Sequence, residues 1–186
     1  MNTYIILLRG INVGGKNKIP MADLRSALEE SGFSNVSTYI ASGNIILDSH
    51  SSKTQIKKKI EQLLPSTFNL DSSLIKVLVL SPSQLRAVVK NKPPGFGESP
   101  DKFHSDVAFL IDITVNQAES AFQLREGVDT LWNGKEVIYF QRLSSQRTKS
   151  KLSKITASPL YKSMTIRNWN TTVKLAEFVR ARDENN

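Results

Sequence analysis

The first eighty residues contain four short apolar runs and two segments in which apolar residues recur every three to four positions. Short apolar runs bounded by turn residues predict buried strands, whereas the longer spacing predicts amphipathic helices. We therefore predict, in chain order, strand 4–10, helix 20–31, strands 36–42 and 44–49, a second helix before Pro65, and strand 74–80. The order strand, helix, strand, strand, helix, strand is typical of the ferredoxin-like fold.

Proline and glycine residues set the boundaries of these elements. Pro20 is predicted as the first residue of its helix, because its fixed φ and missing N–H suit that position. Gly32 is predicted to end the same helix. The next two strands are joined by a tight turn around Ser42 and Gly43.

The same order of elements starts again in the second part of the chain. A short helix at 82–91 leads into a Pro- and Gly-rich loop at 91–105, which is the best candidate boundary. The elements predicted after it are strand 106–112, helix 115–124, strand 128–132, a tight turn at Asn133 and Gly134, strand 136–142, a basic helix at 150–158, strand 164–167 and a last helix at 169–182. No strong residue identity accompanies this repeat, so a duplication rests on element order alone.

We therefore predict an α+β protein with two ferredoxin-like (βαββαβ) halves in tandem and a C-terminal helix. The first half spans residues 1–81, and a short helix with the connecting loop spans 82–104. The second half, with the basic stretch and the C-terminal helix, spans 105–186. A chain of 186 residues is long enough for one large core or two small ones.

Composition excludes several kinds of chemistry. The chain has no cysteine, so disulfides, thiolate metal sites, iron–sulfur clusters and cysteine nucleophiles are excluded. The apolar run at residues 4–8 has no basic leader and is too short for a secretory core or a membrane span. We expect a cytoplasmic protein with no membrane partner and no cofactor.

Positive charge is concentrated near the C-terminus. The chain has 25 basic and 17 acidic residues, a net charge of +8, and no acidic residue lies between Glu136 and Glu177. The eight basic residues in that interval account for the whole excess: Arg142, Arg147, Lys149, Lys151, Lys154, Lys162, Arg167 and Lys174. The sequence thus combines a neutral body with a basic C-terminal part.

The stretch "GINVGGKN", which starts at Gly10, differs by one residue from the phosphate-binding loop of nucleotide hydrolases. Gly10, Gly15 and Lys16 fit that motif, but Asn17 stands where a Ser or Thr hydroxyl would bind magnesium. In such a loop the helix begins at the Lys, whereas the helix predicted here begins later. We exclude a nucleotide-hydrolysing loop, while a looser anion-binding loop and a bare strand-to-helix turn both stay open.

The two histidines are His50 and His104. His104 and Asp106 lie two residues apart at the start of a predicted strand and hence on one face, where they could act as an acid–base pair or as two metal ligands. Two ligands do not make a site, and a solvated strand end is the commoner arrangement. We predict no metal site, and catalysis by scattered carboxylates stays open because no familiar hydrolase motif is present.

The stretch "TIRNWNTTVKL" admits two interpretations. Asn170 is a candidate N-cap of the last helix, against which Trp169 would pack as a hydrophobic staple. That interpretation leaves Arg167 and Asn168 unexplained, and a strand-end Arg beside a helix N-terminus makes a good anion clamp. A structural cap and a ligand site both stay open.

The stretch "QRLSSQRTKSKLSK" places Arg147, Lys151 and Lys154 at helical spacing, with Leu152 and Ile155 on the other side. A solvated helix face is the simpler interpretation. However, a surface normally mixes its charges, and unopposed positive charge in one segment is typical of a phosphate-binding surface.

Four motifs, in order along the chain, carry a resemblance to a known family. They read "LLRGINVGGKNKIPMADLRSALEESGF", "TYIASGNIIL", "PPGFGESPDKFHSDVAFL" and "SKLSKITASPLYKSMTIRNWNTTVKL". Over about residues 4–178 the chain resembles the bacterial DUF1697 family of uncharacterised proteins. The resemblance implies an α+β protein with ferredoxin-like halves and brings no established activity. The family's recurrent polar motifs fall on Arg9, Gly10, Asn12, Gly14, Gly15, Ser42, Gly43, Asn44, Arg167, Asn168, Asn170 and Thr171.

These observations favour a binding protein for a phosphate-bearing anionic ligand, either nucleic acid or a nucleotide. The predicted ligand-binding residues are Arg9, Gly10, Asn12, Gly14, Gly15, Lys16, Lys18, Ser42, Asn44, Arg167, Asn168 and Asn170. The predicted polyanion-binding residues are Arg142, Arg147, Lys149, Lys151 and Lys154. One alternative is a small enzyme acting on a phosphorylated or otherwise anionic metabolite, with His104 or a carboxylate transferring protons. Another is a structural partner module without a small ligand.

Overall fold

The computed structural model describes residues 1–71 and 75–184, and within them the strands form two antiparallel sheets. The strands are β1 (Asn2–Arg9), β2 (Ser34–Tyr39), β3 (Asn44–Ser49), β4 (Lys76–Leu80), β5 (Phe103–Leu110), β6 (Asp129–Asn133), β7 (Val137–Leu143) and β8 (Met164–Asn168). The first sheet has the order β2-β3-β1-β4 and the second β6-β7-β5-β8, so in each the first strand lies between the third and the fourth. The arrangement confirms the predicted α+β class with two ferredoxin-like halves.

Helices of two kinds connect these strands. The α-helices are α1 (Met21–Glu30), α2 (Lys53–Thr67), α3 (Pro82–Lys90), α4 (Val115–Glu119) and α5 (Trp169–Glu184). Three 3-10 helices lie between β7 and β8, at Ser144–Lys149, Leu152–Ala157 and Pro159–Ser163. The N-termini of α2 and α4 each carry a capping box, formed by Ser52 with Gln55 and by Thr114 with Gln117, which satisfies N–H groups that a helix start leaves unpaired.

The contacts divide the chain into two compact units. The first unit comprises Met1–Leu85 and the part of α5 from Leu175 onward, and the second comprises Arg86–Lys174. The domain boundaries inferred from the sequence, 1–81, 82–104 and 105–186, stay a prediction.

Each unit has its own apolar core on one face of its sheet. In the first unit, residues of β1, β3 and β4 pack against α1 and α2, with Leu24, Leu28 and Ile60 fully buried. In the second unit, residues of β5, β7 and β8 pack against α4 and the 3-10 helices, where Leu152 and Ile155 are buried. Burying one such side chain contributes about 1.5–3 kcal/mol, so these cores fix the sheets on which the polar residues are displayed.

Three helix predictions need correction. The first helix begins at Met21, with Pro20 in the N-cap position. The second helix continues past Pro65 to Thr67, because Leu64 is fully buried and its carbonyl accepts the N–H of Phe68 at 3.0 Å. The helix predicted at 115–124 ends at Glu119, after which the backbone makes tight turns. The strand predicted at 74–80 begins at Lys76, and Leu74 lies outside the described residues.

The predicted basic helix at 150–158 is also wrong. The chain there forms separate 3-10 helices that are interrupted at Ser150 and Lys151. In a 3-10 helix, residues three apart lie on one side, so Leu152 and Ile155 both face the core. Arg147, Lys151 and Lys154 therefore do not share one face of an α-helix, as their spacing had suggested.

Candidate functional site

The Gly-rich loop, residues 10–19, follows β1 and is held in shape by Asn12. Its Nδ2 donates to the carbonyls of Ile19 at 3.0 Å and Ala41 at 2.8 Å, and its Oδ1 accepts the N–H of Ile19 at 2.8 Å. The residue has a φ of 52°, a left-handed conformation that Asn adopts more readily than most residues. Asn12 thus closes the loop on itself and ties it to the turn between β2 and β3.

Asn17 holds the far side of the same loop. It is 8 % exposed, its Nδ2 donates to the carbonyl of Gly10 at 2.8 Å, and its Oδ1 accepts the N–H of Asp71 at 2.8 Å. In a nucleotide-hydrolysing loop this position would carry a hydroxyl directed at magnesium. Here the side chain of Asn17 hydrogen-bonds to the backbone instead, and α1 begins only at Met21. The loop therefore differs from a phosphate-binding loop in structure as well as in sequence.

The tip of the loop is a tight turn with two exposed lysines next to it. Gly14 and Gly15 have φ values of 59° and 77°, and the N–H of Lys16 donates to the carbonyl of Val13 at 3.0 Å. A Cβ added to either glycine would meet nothing within 4 Å, so the turn requires glycine for its backbone angles and not for space. Lys16 and Lys18 are exposed.

The turn between β2 and β3 lies next to this loop. Asn44 is fully buried, and its Nδ2 donates to the hydroxyl of Ser42 at 2.9 Å and to the carbonyl of Tyr39 at 3.0 Å. The bond from Asn12 to Ala41 joins the loop to the same turn. The structure thus brings Asn12, Ser42 and Asn44 together at the end of β1.

The predicted ligand-binding residues are shared between the two units. The first unit contains Arg9, Gly10, Asn12, Gly14, Gly15, Lys16, Lys18, Ser42 and Asn44, and the second contains Arg167, Asn168 and Asn170. Arg9 is half-buried at the end of β1, opposite Lys76 on β4. A ligand role for these residues stays a prediction.

Five polar residues, which we call the polar cluster, lie on one face of the second sheet. His104 on β5 is opposite Arg142 on β7, which is in turn opposite Asp129 on β6. Asp106, two residues after His104, is opposite Asn168 on β8. Because paired residues and alternate residues of a strand point to the same side, all four strands contribute to this cluster.

The centre of the polar cluster is a bonded His–Asp pair. Nε2 of His104 lies 3.1 Å from Oδ2 of Asp106, and the two side chains are 45 % and 13 % exposed. Burial raises the pKa of Asp106, although the charges of His104 and Arg142 and a hydrogen bond from Asn168 act in the opposite direction. The two side chains lie on one face, as the sequence suggested.

Asp129 and Arg142 complete the polar cluster and each has a buried atom without a partner. Oδ2 of Asp129 accepts the N–H groups of Arg125 at 2.8 Å and Lys151 at 2.9 Å. Among the described residues, Oδ1 of Asp129 and Nε of Arg142 are buried without a hydrogen bond. Such an atom costs about 1–3 kcal/mol unless an ordered water or a ligand bonds to it.

The basic segment, residues 142–154, begins in the polar cluster at Arg142 and bonds to it again at Lys151. Arg147, Lys149 and Lys154 are exposed, and Lys151 is half-buried. The N–H of Lys151 is fixed by the buried Asp129, so this carboxylate holds the backbone of the segment and not its exposed charges. The backbone of the segment is thus held at Lys151, next to three exposed positive side chains.

Arg167 lies inside the second unit. It is 6 % exposed, and its Nη1 donates to the hydroxyl of Thr165 and to the carbonyl of Ile166, both at 2.9 Å. Burial lowers the pKa of Arg167 to about 10. A ligand anion would have to reach into the second unit to contact this guanidinium.

The start of α5 differs from the sequence prediction. Asn168 precedes the first helical residue, and its Oδ1 accepts the N–H of Asn170 at 3.0 Å, so Asn168 caps the helix instead of Asn170. Asn170 is exposed. Trp169 is the first residue of the helix and packs edge-on against Phe96, with ring centroids 5.1 Å apart, so it is not a staple against its own helix.

Sequence reasoning missed the structural importance of Asn17 and Asp129. Asn17 was noted only as a mismatch to a motif, although its buried amide holds the loop. A signal for Asp129 existed, because a carboxylate within the apolar run "VDTLW" has to find buried donors. Its donors, on Arg125 and Lys151, could not be identified from the sequence.

The described residues contain neither a cluster of metal-binding side chains nor a helix that could span a membrane. No group of three or more His, Asp or Glu side chains in residues 1–71 and 75–184 is arranged to hold a metal ion. No helix in this part of the chain has the length and apolar character needed to cross a membrane.

Comparisons with known proteins identify relatives but no activity. Residues 1–139 match the model of a family described as "Protein of unknown function (DUF1697)". The conserved bacterial protein SP0830 from Streptococcus pneumoniae has a similar structure, with 31 % identity, a TM-score of 0.79, and coverage of 96 % of this chain and 98 % of that one. The acetolactate synthase small subunit from Thermotoga maritima aligns over 90 % and 97 % of the two chains at 11 % identity, but its TM-score of 0.24 is too low to inform fold or function. No curated protein matches the chain significantly.

Proposed function

The chain belongs to the DUF1697 family of proteins of unknown function, and we propose that it binds a phosphate-bearing anionic ligand, nucleic acid or a nucleotide, on its basic segment. Lys16 and Lys18 in the Gly-rich loop of the first unit are a second, smaller group of exposed cations. A cytoplasmic location, expected from the sequence, is part of this proposal.

One observation carries the proposal. The basic segment has exposed positive charges without an acidic neighbour in sequence, and a hydrogen bond holds the backbone of this segment at Lys151. No acidic residue lies between Glu136 and Glu177, and the buried Asp129 is bonded to the N–H of Lys151. Anchoring lowers the entropy that the segment would lose on binding. Clustered positive charge attracts phosphates and makes binding sensitive to salt through release of counterions.

The proposal is tested by fluorescence anisotropy with short labelled DNA and 2′-O-methyl RNA, from low to physiological salt. The test variant carries Arg147→Glu, Lys149→Glu and Lys154→Glu. The matched control carries Arg25→Glu, Lys58→Glu and Lys135→Glu, at three exposed positions outside the segment. Each set changes the net charge by −6, from +8 to +2.

The proposal predicts binding that weakens steeply with salt: the logarithm of the affinity should fall with the logarithm of the salt concentration by about 0.7 per phosphate contacted on a single strand, or about 0.9 on duplex DNA. The test variant should lose both the affinity and most of the slope, while the control should keep most of both. Equal losses of affinity in the two variants would show that only the net charge of the protein matters. Absence of binding by the wild type at low salt would contradict the proposal.

A further inference from the structure

The polar cluster has features that simple binding does not require. A largely buried carboxylate such as Asp106 is costly, yet it is placed beside the half-exposed ring of His104. A histidine whose Nε2 hydrogen is held by a carboxylate has its other ring nitrogen, Nδ1, available as a proton acceptor. The pair therefore has the arrangement of a general base with its orienting group.

A cation lies next to this base. Arg142 is directly across the ladder from His104, and its positive charge acts on the carboxylate of Asp106. Its Nε is buried without a protein partner in the part of the chain that the structure describes. A guanidinium can bond two oxygens of one phosphate group. A phosphate bound by Arg142 would therefore lie beside the base, His104.

None of the five residues of the polar cluster carries a hydroxyl group that could act as a nucleophile. Ser105, between His104 and Asp106, points to the opposite face of the sheet, where its hydroxyl donates to Oε1 of Gln141 at 3.2 Å. A substrate that carries its own nucleophile would need only a base and a cation. RNA is such a substrate, because its ribose 2′-hydroxyl is adjacent to the phosphodiester.

We propose that the polar cluster cleaves RNA by attack of a ribose 2′-hydroxyl on the neighbouring phosphodiester. The inference rests on the proposed function, because the basic segment must first hold the strand. Nδ1 of His104 accepts the 2′-hydroxyl proton as the 2′ oxygen bonds to phosphorus, and the bond from phosphorus to the 5′ oxygen breaks. Water gives a proton to the departing 5′ oxygen and takes the proton held by Nδ1 of His104 in exchange, which leaves a 2′,3′-cyclic phosphate on one fragment and a 5′-hydroxyl on the other.

The remaining residues of the polar cluster have distinct parts in this reaction. Arg142 stabilises the negative charge that grows on the phosphate oxygens. Asp106 is a positioning residue, since it touches the imidazole and not the substrate. Asn168 donates from Nδ2 to the carbonyl of Ser105 at 3.1 Å, with Oδ1 of Asp106 at 3.5 Å, and so holds the carboxylate in place.

The test uses a DNA oligonucleotide that contains a single ribonucleotide, with an all-DNA strand and a 2′-O-methyl strand as uncleavable matches. The 186-residue chain is compared with its His104→Ala variant and with its His50→Ala variant, which changes the other histidine, an exposed residue. Cleavage should occur only at the ribonucleotide and yield a cyclic phosphate identified by mass. It should fall by at least about 100-fold in His104→Ala and be unchanged in His50→Ala.

The outcomes separate the two proposals. Binding of the 2′-O-methyl strand without cleavage of the ribonucleotide strand would overturn the catalytic inference and leave the binding function standing. Absence of binding to either strand would overturn both. Equal cleavage by His104→Ala would assign the activity to another source and overturn the inference.

The positioning role of Asp106 has its own readout. Asp106→Asn should lower kcat for cleavage by at least about tenfold while KM changes little, because orientation of the base matters to the transition state and not to binding of the strand. Unchanged kcat, or a loss confined to KM, would contradict that role.

Discussion

Arg182 in α5 and Asp48 in β3 are 134 residues apart in sequence, yet Nη1 of Arg182 lies 3.4 Å from Oδ1 of Asp48. The same carboxylate accepts hydrogen bonds from Thr3 and Asn35, both at 2.7 Å. Burial raises the pKa of Asp48, but the hydrogen bonds from Asn35 and Thr3 and the charge of Arg182 outweigh it, so the pKa lies below its ordinary value of 3.8. One carboxylate thus connects three other elements of the first unit.

Replacing Asp48 with Asn should lower the free energy of unfolding at pH 7 by about 1–3 kcal/mol, because its donors lose a charged acceptor. A carboxyl whose folded pKa is lowered contributes stability above its unfolded pKa and loses it as the pH falls through the folded value. Urea unfolding at pH 7 and at pH 3 should therefore show a large difference between wild type and variant at pH 7 and a smaller one at pH 3. An equal difference at both values would show that the charge is not responsible.

Asp106 should behave in the opposite way. Since burial raises its pKa, the folded protein holds the proton more tightly than the unfolded chain, and ionisation costs stability above both pKa values. Asp106→Asn is expected to unfold at an equal or higher urea concentration than wild type at pH 7, with the gain disappearing below the unfolded pKa. A clear loss of stability at pH 7 would mean that the bond to His104 outweighs burial.

Gly97 and Gly95 offer a matched pair for testing how Trp169 is packed. Both have positive φ, 71° and 79°, but a Cβ on Gly97 would lie 2.3 Å from the ring of Trp169, whereas one on Gly95 meets nothing within 4 Å. Gly97→Ala should therefore cost about 1–3 kcal/mol more than Gly95→Ala in chemical unfolding, since only the former overpacks the site. Similar losses of unfolding free energy in the two variants would show that the strain of a positive φ accounts for the whole effect.

Asn12 combines an unusual backbone angle with a bonded side chain, and two substitutions separate these contributions. Asn12→Gly adopts the positive φ without steric strain but removes the three side-chain hydrogen bonds, whereas Asn12→Ala removes these bonds and also strains the backbone. We expect both variants to unfold at lower urea concentrations than wild type. The free energy of unfolding should be about 1 kcal/mol lower for the alanine variant than for the glycine variant. If glycine matched wild type, the amide bonds would be irrelevant to stability.

Much of the fold was predictable because burial leaves a regular pattern in the sequence. Apolar runs such as those that became β1 and β5 identified the strands, and Gly32 and the pair Asn133–Gly134 identified their connections. The helix past Pro65 was not predictable, because the burial of Leu64 outweighs the local preference of proline. The 3-10 helices were missed because Leu152 and Ile155, three residues apart, fit either helix type.

The candidate site was predictable only in part. The spacing of His104 and Asp106 placed both on one face of a strand, and the gap in acidic residues revealed the basic segment. What could not be predicted were contacts across strands, such as Arg142 between His104 and Asp129. Their registers depend on the whole sheet and not on any local pattern.

The central claim is that the basic segment binds phosphate-bearing ligands, and an amide NMR titration with an uncleavable 2′-O-methyl RNA strand tests it most directly. The account predicts that the largest shifts in the second unit fall on residues 142–154, including the N–H of Lys151 that Asp129 fixes. These shifts should be reversed by salt. Absence of shifts in this segment at low salt, with or without changes elsewhere, would contradict the account.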